Sequence, residues 1–120
     1  MKERFEAKEG VVIDNNTGLM WMQNPLDKLF TWDEACEVKH EFEGFDDWRV
    51  PTIEELTGII DYKKSDSTCN DVFRFGKYSV FWSSSPKVGN TNYAWYVNFS
   101  YGYVYYNRRV NAFQVRLVRG

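Results

Sequence analysis

The most regular pattern of apolar and polar residues runs from Tyr93 to Asn107. Side chains of a β-strand point alternately to its two faces, so one parity should enter the core and the other should face solvent. The inward parity of the first strand comprises Trp95, Val97 and Phe99. Gly102 then allows a tight turn, and Val104 resumes the inward pattern on a return strand. We therefore predict a two-stranded ribbon with an outward face of Tyr96, Asn98, Tyr101, Tyr103, Tyr105 and Tyr106.

The outward positions of this ribbon are unusual because they carry Tyr and Asn instead of the Lys, Glu and Thr of a solvated surface. Tyr supplies rigid aromatic area with a polar tip, and Asn supplies adaptable hydrogen bonds, so both suit a binding face. The alternative is that the tyrosines only stiffen the ribbon through aromatic pairing across the strands. We interpret the ribbon as a recognition surface that the rest of the chain holds in place.

Apolar runs near the N-terminus predict a hairpin. Val11-Val12-Ile13 forms one strand, Asn15 to Gly18 forms a turn, and Leu19 to Met22 forms the second strand. A long polar stretch from Tyr62 to Tyr78 predicts a surface loop, and Val80 to Ser85 predicts a further strand that ends at Pro86. The residues from Phe113 to Arg119 predict a closing strand in a central position, because they contain no Pro or Gly.

Two short helices are predicted by capping boxes, in which a Thr is followed three residues later by a Glu. Thr31 with Glu34 opens a helix to about Glu43, and places Cys36 on the apolar face as a core thiol. Thr52 with Glu55 opens a second helix to about Asp61. We interpret the acidic residues around the second helix as caps and ion-pair partners, not as catalytic groups; they are Asp46, Asp47, Glu54 and Glu55.

These elements together predict an α+β fold in a single domain that spans residues 1–120. The net charge of −2 argues against a nucleic-acid partner, and no apolar run is long enough to span a membrane. No signal-peptide pattern is present, so the sequence leaves four origins open: cytoplasmic, exported without a cleavable signal, carried in an assembled particle, or trimmed from a longer protein.

We predict that most cysteine, tryptophan and arginine residues outside the ribbon have structural roles. Cys36 and Cys69 form either a disulfide or two thiols, and we favour thiols because no signal peptide is present. With His40 as the single histidine, we expect no metal, no cofactor and no catalytic residue. The residues expected in the core are Trp21, Trp32, Trp48, Trp82 and Trp95. The residues expected in structural ion pairs are Arg49, Arg116 and Arg119, whereas Arg108 and Arg109 contact either an acidic partner or solvent.

The sequence resembles the Lcl C-terminal domain family over almost its whole length. The matching blocks are Asp14-x-x-Thr17-Gly18-Leu19-Met20-Trp21, Trp32-x-x-Ala35-Cys36, Asp47-Trp48-Arg49-Val50-Pro51-Thr52-x-x-Glu55-Leu56, Phe81-Trp82-Ser83-Ser84-Ser85, Ala94-Trp95-x-Val97-x-Phe99-x-x-Gly102 and Val115-Arg116-Leu117-Val118-Arg119. The resemblance implies a C-type lectin-like fold related to the formylglycine-generating enzyme domain. It also implies surface attachment or ligand binding instead of catalysis.

This chain departs from the pattern of those relatives in three respects. Members of the family commonly carry a Cys where Leu117 stands, which would pair with Cys36, and that bond cannot form here. The sugar-binding signatures of calcium-dependent lectins, Glu-Pro-Asn and Trp-Asn-Asp, do not occur in the sequence. Formylglycine-generating enzymes use a cysteine pair late in the chain, and no Cys follows Cys69.

The C-terminal part also resembles the variable proteins of diversity-generating retroelements. A frame that includes Trp82-Ser83-Ser84, Ala94-Trp95 and Val115-Arg116 is interleaved with Asn, Tyr and Ser. Mutation of template adenines moves Asn codons toward Tyr, Ser and Asp, so such residues mark varied positions. The candidate ligand-binding residues are Asn90, Asn92, Tyr93, Tyr96, Asn98, Ser100, Tyr101, Tyr103, Tyr105, Tyr106, Asn107 and Asn111.

The sequence therefore predicts a non-enzymatic ligand-binding or adhesion module whose partner is a protein or a glycan on a cell surface. The resemblance favours a phage virion or a bacterial cell surface as its location. Two alternatives remain: an enzyme related to the formylglycine-generating enzymes, and a structural or oligomerisation module that pairs its aromatic patch with another copy.

Overall fold

The apolar runs of the sequence form two antiparallel sheets in a computed structural model, which describes residues 3–64 and 68–120. The first sheet has the strand order β1-β2-β3-β7, and the second has the order β4-β5-β6. The strands are β1 (Phe5–Lys8), β2 (Val11–Asp14), β3 (Met20–Met22), β4 (Val80–Pro86), β5 (Tyr93–Asn98), β6 (Tyr103–Arg108) and β7 (Val118–Arg119). Together with two short helices they confirm the predicted α+β class.

The N-terminal hairpin and the C-terminal ribbon are confirmed. β2 pairs with β3 through Val12 and Trp21, and β1 adds an outer strand that the sequence pattern did not separate from β2. β5 pairs with β6 around a turn at Gly102, which has a φ of +75°. A Cβ at Gly102 would lie only 3.0 Å from Cγ2 of Thr68, so both the turn and the close packing favour glycine here.

Both helices begin where the capping boxes predict but end earlier than expected. α1 spans Trp32–Cys36 and α2 spans Ile53–Thr57, and both capping boxes are complete. The predicted ends at Glu43 and Asp61 are wrong. Gly58 caps α2, and after α1 the chain makes a tight bridge between Phe42 and Phe45, with Glu43 and Gly44 at positive φ. The apolar residues after α1 therefore lie in irregular backbone when they pack against the core, and they do not form one face of a helix.

The closing strand is shorter than predicted and is not central in its sheet. Only Val118–Arg119 pairs with β3, at one end of the first sheet, and Arg49 bridges Val118 on its other side. The residues before it run between the two sheets and change partners along the way. Gln114 bonds to β4 through Val80 and Trp82, whereas the carbonyl of Leu117 accepts from Met22 of β3. A segment that changes partners in this way cannot form one continuous ladder.

The second sheet is covered by apolar residues on both of its faces. Phe81 and Val97 belong to one buried cluster, and Trp82 and Tyr96 belong to another on the opposite side. The predicted separation of inward and outward residues on β5 is therefore partly wrong: Tyr96 is 7% exposed and Asn98 is 8% exposed, while Trp95 is only half-buried. Alternation no longer separates core from solvent when a sheet is buried on both sides.

The remaining aromatic and sulfur positions divide between the core and the surface. Trp21, Trp48 and Trp82 are buried as predicted, whereas Trp32 is only half-buried. Cys36 and Cys69 are both free thiols. Cys69 is buried, but Cys36 is exposed because α1 ends there, so the prediction of a core thiol at Cys36 is wrong.

Two of the three predicted ion pairs are confirmed. Arg49 and Glu55 form two hydrogen bonds of 2.7 Å, and Arg119 pairs with Asp47 through both of its carboxylate oxygens. Arg116 is different: among the described residues its side chain bonds to no carboxylate, and its guanidinium donates to the backbone carbonyls of Met22, Gln23 and Arg74.

The guanidinium of Arg116 is buried among backbone carbonyls and aromatic rings. It lies 5.2–5.3 Å from the ring centroids of Phe73, Phe75 and Phe81. Burial lowers its pKa to about 10. A planar cation with several fixed donors suits such a site, because the three carbonyls and the ring faces together replace the lost water.

Candidate ligand-binding face of the ribbon

Tyr96 forms the buried floor of the ribbon, not its outer surface. Its ring lies 5.2 Å from that of Phe113 and 6.5 Å from that of Trp82, measured between centroids. Burial, together with a hydrogen bond to the hydroxyl of Tyr103, raises the pKa of Tyr96 to about 12. Tyr96 therefore carries the exposed aromatic residues without itself being available to a ligand.

Asn98 fixes the turn of the ribbon and orients one of its tyrosines. Its Oδ1 accepts a hydrogen bond of 2.9 Å from the N–H of Ser100, and its Nδ2 donates to the hydroxyl of Tyr103 at 3.2 Å. Both of its polar atoms are thus engaged inside the protein. Asn98 was predicted to contact a ligand, but in the structure it positions Tyr103 and the turn.

The exposed part of the face consists of Tyr101, Tyr103 and Tyr105. These side chains are 77%, 44% and 52% exposed. The rings of Tyr101 and Tyr103 are stacked, with centroids 6.3 Å apart and planes 5° from parallel. Three tyrosines on a buried floor give a flat, uncharged surface of aromatic area and hydroxyl groups, and we call these three residues the tyrosine face.

Tyr106 packs between Tyr105 of the tyrosine face and the aromatic residues on the other side of the ribbon. Its ring centroid lies 4.5 Å from that of Tyr105, 5.4 Å from that of Trp95, its cross-strand neighbour, and 5.6 Å from that of Tyr93. The ammonium of Lys87 lies 4.7 Å from the centroid of the Tyr106 ring. Tyr105 and Tyr106 are consecutive in the strand and leave the backbone toward opposite faces, yet their rings meet.

The asparagines at the base of the ribbon mainly hold its loops. Asn90 accepts a hydrogen bond from the N–H of Asn92 at 3.1 Å. Asn107 accepts from the N–H of Arg108 and from the side chain of Asn111, both at 2.7 Å. Asn92 and Asn111 are nevertheless exposed, as is Ser100 at the tip of the ribbon. The candidate residues therefore fall on two faces and both ends of the ribbon instead of on one surface.

A polar cavity of about 640 Å³ lies beside the base of the ribbon, and sequence reasoning missed it. Asp33 of α1, Thr91 and Arg109 line it together with Asn92, Tyr93, Arg108 and Val110. Arg109 is committed to the fold, because it pairs with Asp33, donates to the Thr91 carbonyl at 2.6 Å and lies 4.3 Å over the Trp32 ring. Arg108 is exposed. Only tertiary structure brings Asp33 to this site.

Two properties of the described residues concern metal binding and thiol chemistry. Residues 3–64 and 68–120 contain no group of three or more His, Cys, Asp or Glu side chains that could hold a metal ion. Burial raises the pKa of the Cys69 thiol to about 12, which keeps it protonated. The two helices are far too short and polar to cross a bilayer, and no other described helix exists.

The fold and the ribbon define a small α+β domain that presents aromatic residues on the β5–β6 hairpin of its three-stranded sheet. The chain belongs to the Lcl C-terminal domain family, which it matches over residues 10–119. A comparison with curated proteins finds no significant match. The family assignment agrees with the resemblance seen in the sequence.

Proposed function

We propose that this domain is a ligand-binding or adhesion module whose tyrosine face contacts a protein or glycan on a cell surface. The observation that carries the proposal is the contrast between Tyr96, which is buried, and Tyr101, Tyr103 and Tyr105, which are exposed above it. The family supports a binding role in general terms. A phage virion or a bacterial surface is the location that we propose.

The physical properties of the tyrosine face favour recognition. Tyr has few rotatable bonds, so its ordering on binding costs less entropy than that of a long flexible side chain. The stacked rings of Tyr101 and Tyr103 are already held parallel, which lowers that cost further. None of the three residues is charged, so the surface suits a neutral or weakly polar ligand.

A triple substitution of Tyr101, Tyr103 and Tyr105 by Ser tests the proposal. We expect the variant to stay folded with a modestly lower melting temperature, because Tyr101 and Tyr105 are exposed but the hydroxyl of Tyr103 bonds to Asn98 and Tyr96. We expect binding to fixed bacterial cells and to an array of glycans to fall at least tenfold, since aromatic anchors dominate such interfaces. Val88→Ser is the control, as it removes a side chain that is 92% exposed outside the tyrosine face. Unchanged binding by a folded triple variant would show that the ligand contacts another surface.

We further propose that the ribbon is diversified between isolates by a retroelement of the type described above. Burial and hydrogen bonding restrict the ribbon positions at which a substitution would leave the fold intact. Tyr96 and Asn98 are buried and hydrogen-bonded, so their codons should stay constant together with those of Trp82 and Gly102.

Sequencing the encoding locus from many isolates tests diversification. We expect adenine-restricted changes at exposed positions, above all Asn92, Tyr101, Tyr103 and Tyr105. An invariant stretch from Asn90 to Asn111 would remove this part of the proposal and leave a constant adhesion module. Equal variation at Tyr96 would contradict the assignment of that residue to the floor.

Self-association is a second candidate function, and the outer edge of β6 favours it. β5 is the strand neighbour of β6, and no other strand of the described residues pairs with it. The residues of β6 from Tyr103 to Asn107 carry no charge and no Pro, which are the usual devices that protect an exposed edge. We propose no enzymatic activity, and the protonated state of Cys69 supports that view.

A further inference from the structure

The polar cavity at the base of the ribbon carries a positive charge that the fold does not neutralise. Two consecutive arginines, Arg108 and Arg109, line the cavity, and Asp33 is the one acidic residue of its described lining. Asp33 pairs with Arg109, so these two charges largely cancel. The charge that remains is that of Arg108. The cavity is therefore a local exception on a chain whose net charge is −2.

Arg108 is available to a partner, whereas Arg109 is not. Arg108 is exposed, and within residues 3–64 and 68–120 its guanidinium has no hydrogen-bond or ion-pair partner. Arg109 also donates to the carbonyl of Thr91 at 2.6 Å and lies over the ring of Trp32, so it holds the wall of the cavity. The planar guanidinium of an arginine matches the two oxygens of a carboxylate, which makes a carboxylate a suitable partner for Arg108.

The register of the ribbon places Arg108 beside an aromatic residue. Arg108 and Tyr93 are Cα partners across β5 and β6, so their side chains leave the same face of the sheet. The ring of Tyr93 contacts that of Tyr106 at 5.6 Å between centroids, and the ammonium of Lys87 lies over the Tyr106 ring. Two cations therefore lie near the half-buried ring of Tyr93, and both favour an anionic ligand.

The rim of the cavity also offers an apolar contact. Val110 lines the cavity and is 76% exposed. Arginine and tyrosine are enriched at protein interfaces and among their energetic hot spots. An apolar side chain of a peptide would remove Val110 from water, whereas the hydroxyl groups of an acidic sugar would not. The combination of Arg108, Tyr93 and Val110 thus favours a protein ligand.

We infer that this cavity binds an acidic peptide segment of a partner protein, in which a carboxylate pairs with Arg108 and a neighbouring apolar side chain packs on Val110 and Tyr93. The inference names a class of partner for the proposed binding module and so rests on that proposal. It adds a second contact area, because none of the residues of the tyrosine face lines the cavity. The positive charge would also speed the encounter with an acidic partner.

A titration of the complete protein with two capped peptides, Gly-Glu-Leu-Glu-Gly and Gly-Gln-Leu-Gln-Gly, tests the inference. The peptides have nearly the same shape, but only the first is charged. We expect the amide signals of Asn92, Tyr93 and Val110 to shift in ¹H–¹⁵N NMR spectra, with the acidic peptide binding about fivefold more tightly, as an exposed charged pair implies. Salt raised from about 0.01 M to about 1 M should remove this preference, because the screening length falls from about 30 Å to about 3 Å.

A pair of charge-matched variants shows which arginine carries the preference. In Arg108→Gln the acidic peptide should bind no more tightly than the neutral one. Arg74→Gln is the control, since it removes the same charge from an exposed residue that does not line the cavity. An equal loss of preference in both variants would show that only the net charge of the protein matters, which would contradict a site at Arg108.

Three further results would overturn the inference. Absence of shifts at millimolar acidic peptide would show that the cavity takes no such segment. Equal affinity of the wild-type protein for the two peptides would show that no carboxylate pairs with Arg108, and this result does not depend on the folding of a variant. Tighter binding of methyl glucuronide than of the acidic peptide would assign the cavity to an acidic glycan instead.

The peptide titration and the test of the tyrosine face fail separately. If the acidic peptide binds while the triple serine variant keeps its binding to cells, the role of the tyrosine face is wrong and the cavity site stands. If the triple variant loses its binding to cells while the peptides cause no shifts, the tyrosine face stands and the cavity site is wrong.

Discussion

Trp95 and Tyr96 are consecutive residues that β5 sends to opposite sides of the second sheet. Tyr96 contacts Trp82, Tyr103 and Phe113 and is almost fully buried, whereas Trp95 contacts Tyr106 and stays half-exposed. The smaller of the two aromatic residues therefore contributes more to the core. Residue size alone would give the reverse ranking.

We expect Tyr96→Ala to lower the free energy of unfolding by about 3–5 kcal/mol, the range for truncation of a buried aromatic residue. Trp95→Ala should cost less, because water already reaches part of that ring. Urea denaturation followed by fluorescence measures both values. Tyr96→Phe is the matched control and should cost about 1 kcal/mol, since it removes only the hydroxyl that bonds to Tyr103. A larger loss for Trp95→Ala than for Tyr96→Ala would refute this ranking.

The sequence predicted the ribbon and its turn because Gly102 and the alternating residues act locally. It misplaced Tyr96 and Asn98 because local alternation does not report which layers cover a sheet. Phe113 and Trp82, which cover Tyr96, lie 17 and 14 positions away in the chain. Only the tertiary fold identifies such neighbours.

At the scale of elements, each helix is defined by its first turn. The hydroxyl of Thr52 accepts from the N–H of Glu55 at 3.2 Å, and the carboxylate of Glu55 accepts from the N–H of Thr52 at 2.9 Å. Glu55 also pairs with Arg49, and bonds from Arg49 lower the pKa of Glu55 despite its partial burial. Glu55 thus joins α2 to Arg49, whose backbone forms a bridge with Val118 of β7.

We expect Thr52→Ala to destabilise the protein by about 1 kcal/mol or more, the usual cost of losing an N-cap. Thr31→Ala is the control because α1 has the same capping box, but its Glu34 has no comparable arginine partner. Thermal unfolding of the two variants compares them directly. If Thr31→Ala were the more harmful change, the link between Glu55 and Arg49 would not matter to α2.

The starts of the helices were predictable, whereas their ends were not. A capping box is a contact between residues three positions apart, so it is visible in the sequence. The end of a five-residue helix depends instead on where the next apolar residues pack. Ile59 and Phe42 pack against the core from non-helical backbone, although their spacing in the sequence resembles that of a helix face.

At the scale of the whole molecule, the uncovered edge of β6 decides between a monomer and an assembly. Arg109 bonds through its N–H to Asn92, so the alternation of an antiparallel pair directs the N–H groups of Val104 and Tyr106 outward. These groups are available to a strand of another molecule. Edge pairing of two copies would extend the sheet from three strands to six.

Self-association through this edge predicts that the mass measured by light scattering rises from 14.3 kDa to twice that value as the concentration increases. Tyr106→Pro should prevent the rise, because proline removes the outward N–H without disturbing the bonds to β5. Tyr106→Ala is the control, since it keeps that N–H. A constant mass of 14.3 kDa for the wild-type protein would leave the domain as a monomeric binding module.

The hydrogen bonds of Arg116 have a consequence for how the protein is made. Their partners Met22, Gln23 and Arg74 lie 94, 93 and 42 positions earlier, so all three bonds form only after Arg116 has been synthesised. During translation the N-terminal hairpin and the ribbon can form first, because their contacts are local. The aromatic cluster around Phe73, Phe75 and Phe81 must wait for the guanidinium that fills it. Until Arg116 emerges, the nascent chain leaves this cluster without its buried cation, a stage at which aggregation competes with folding.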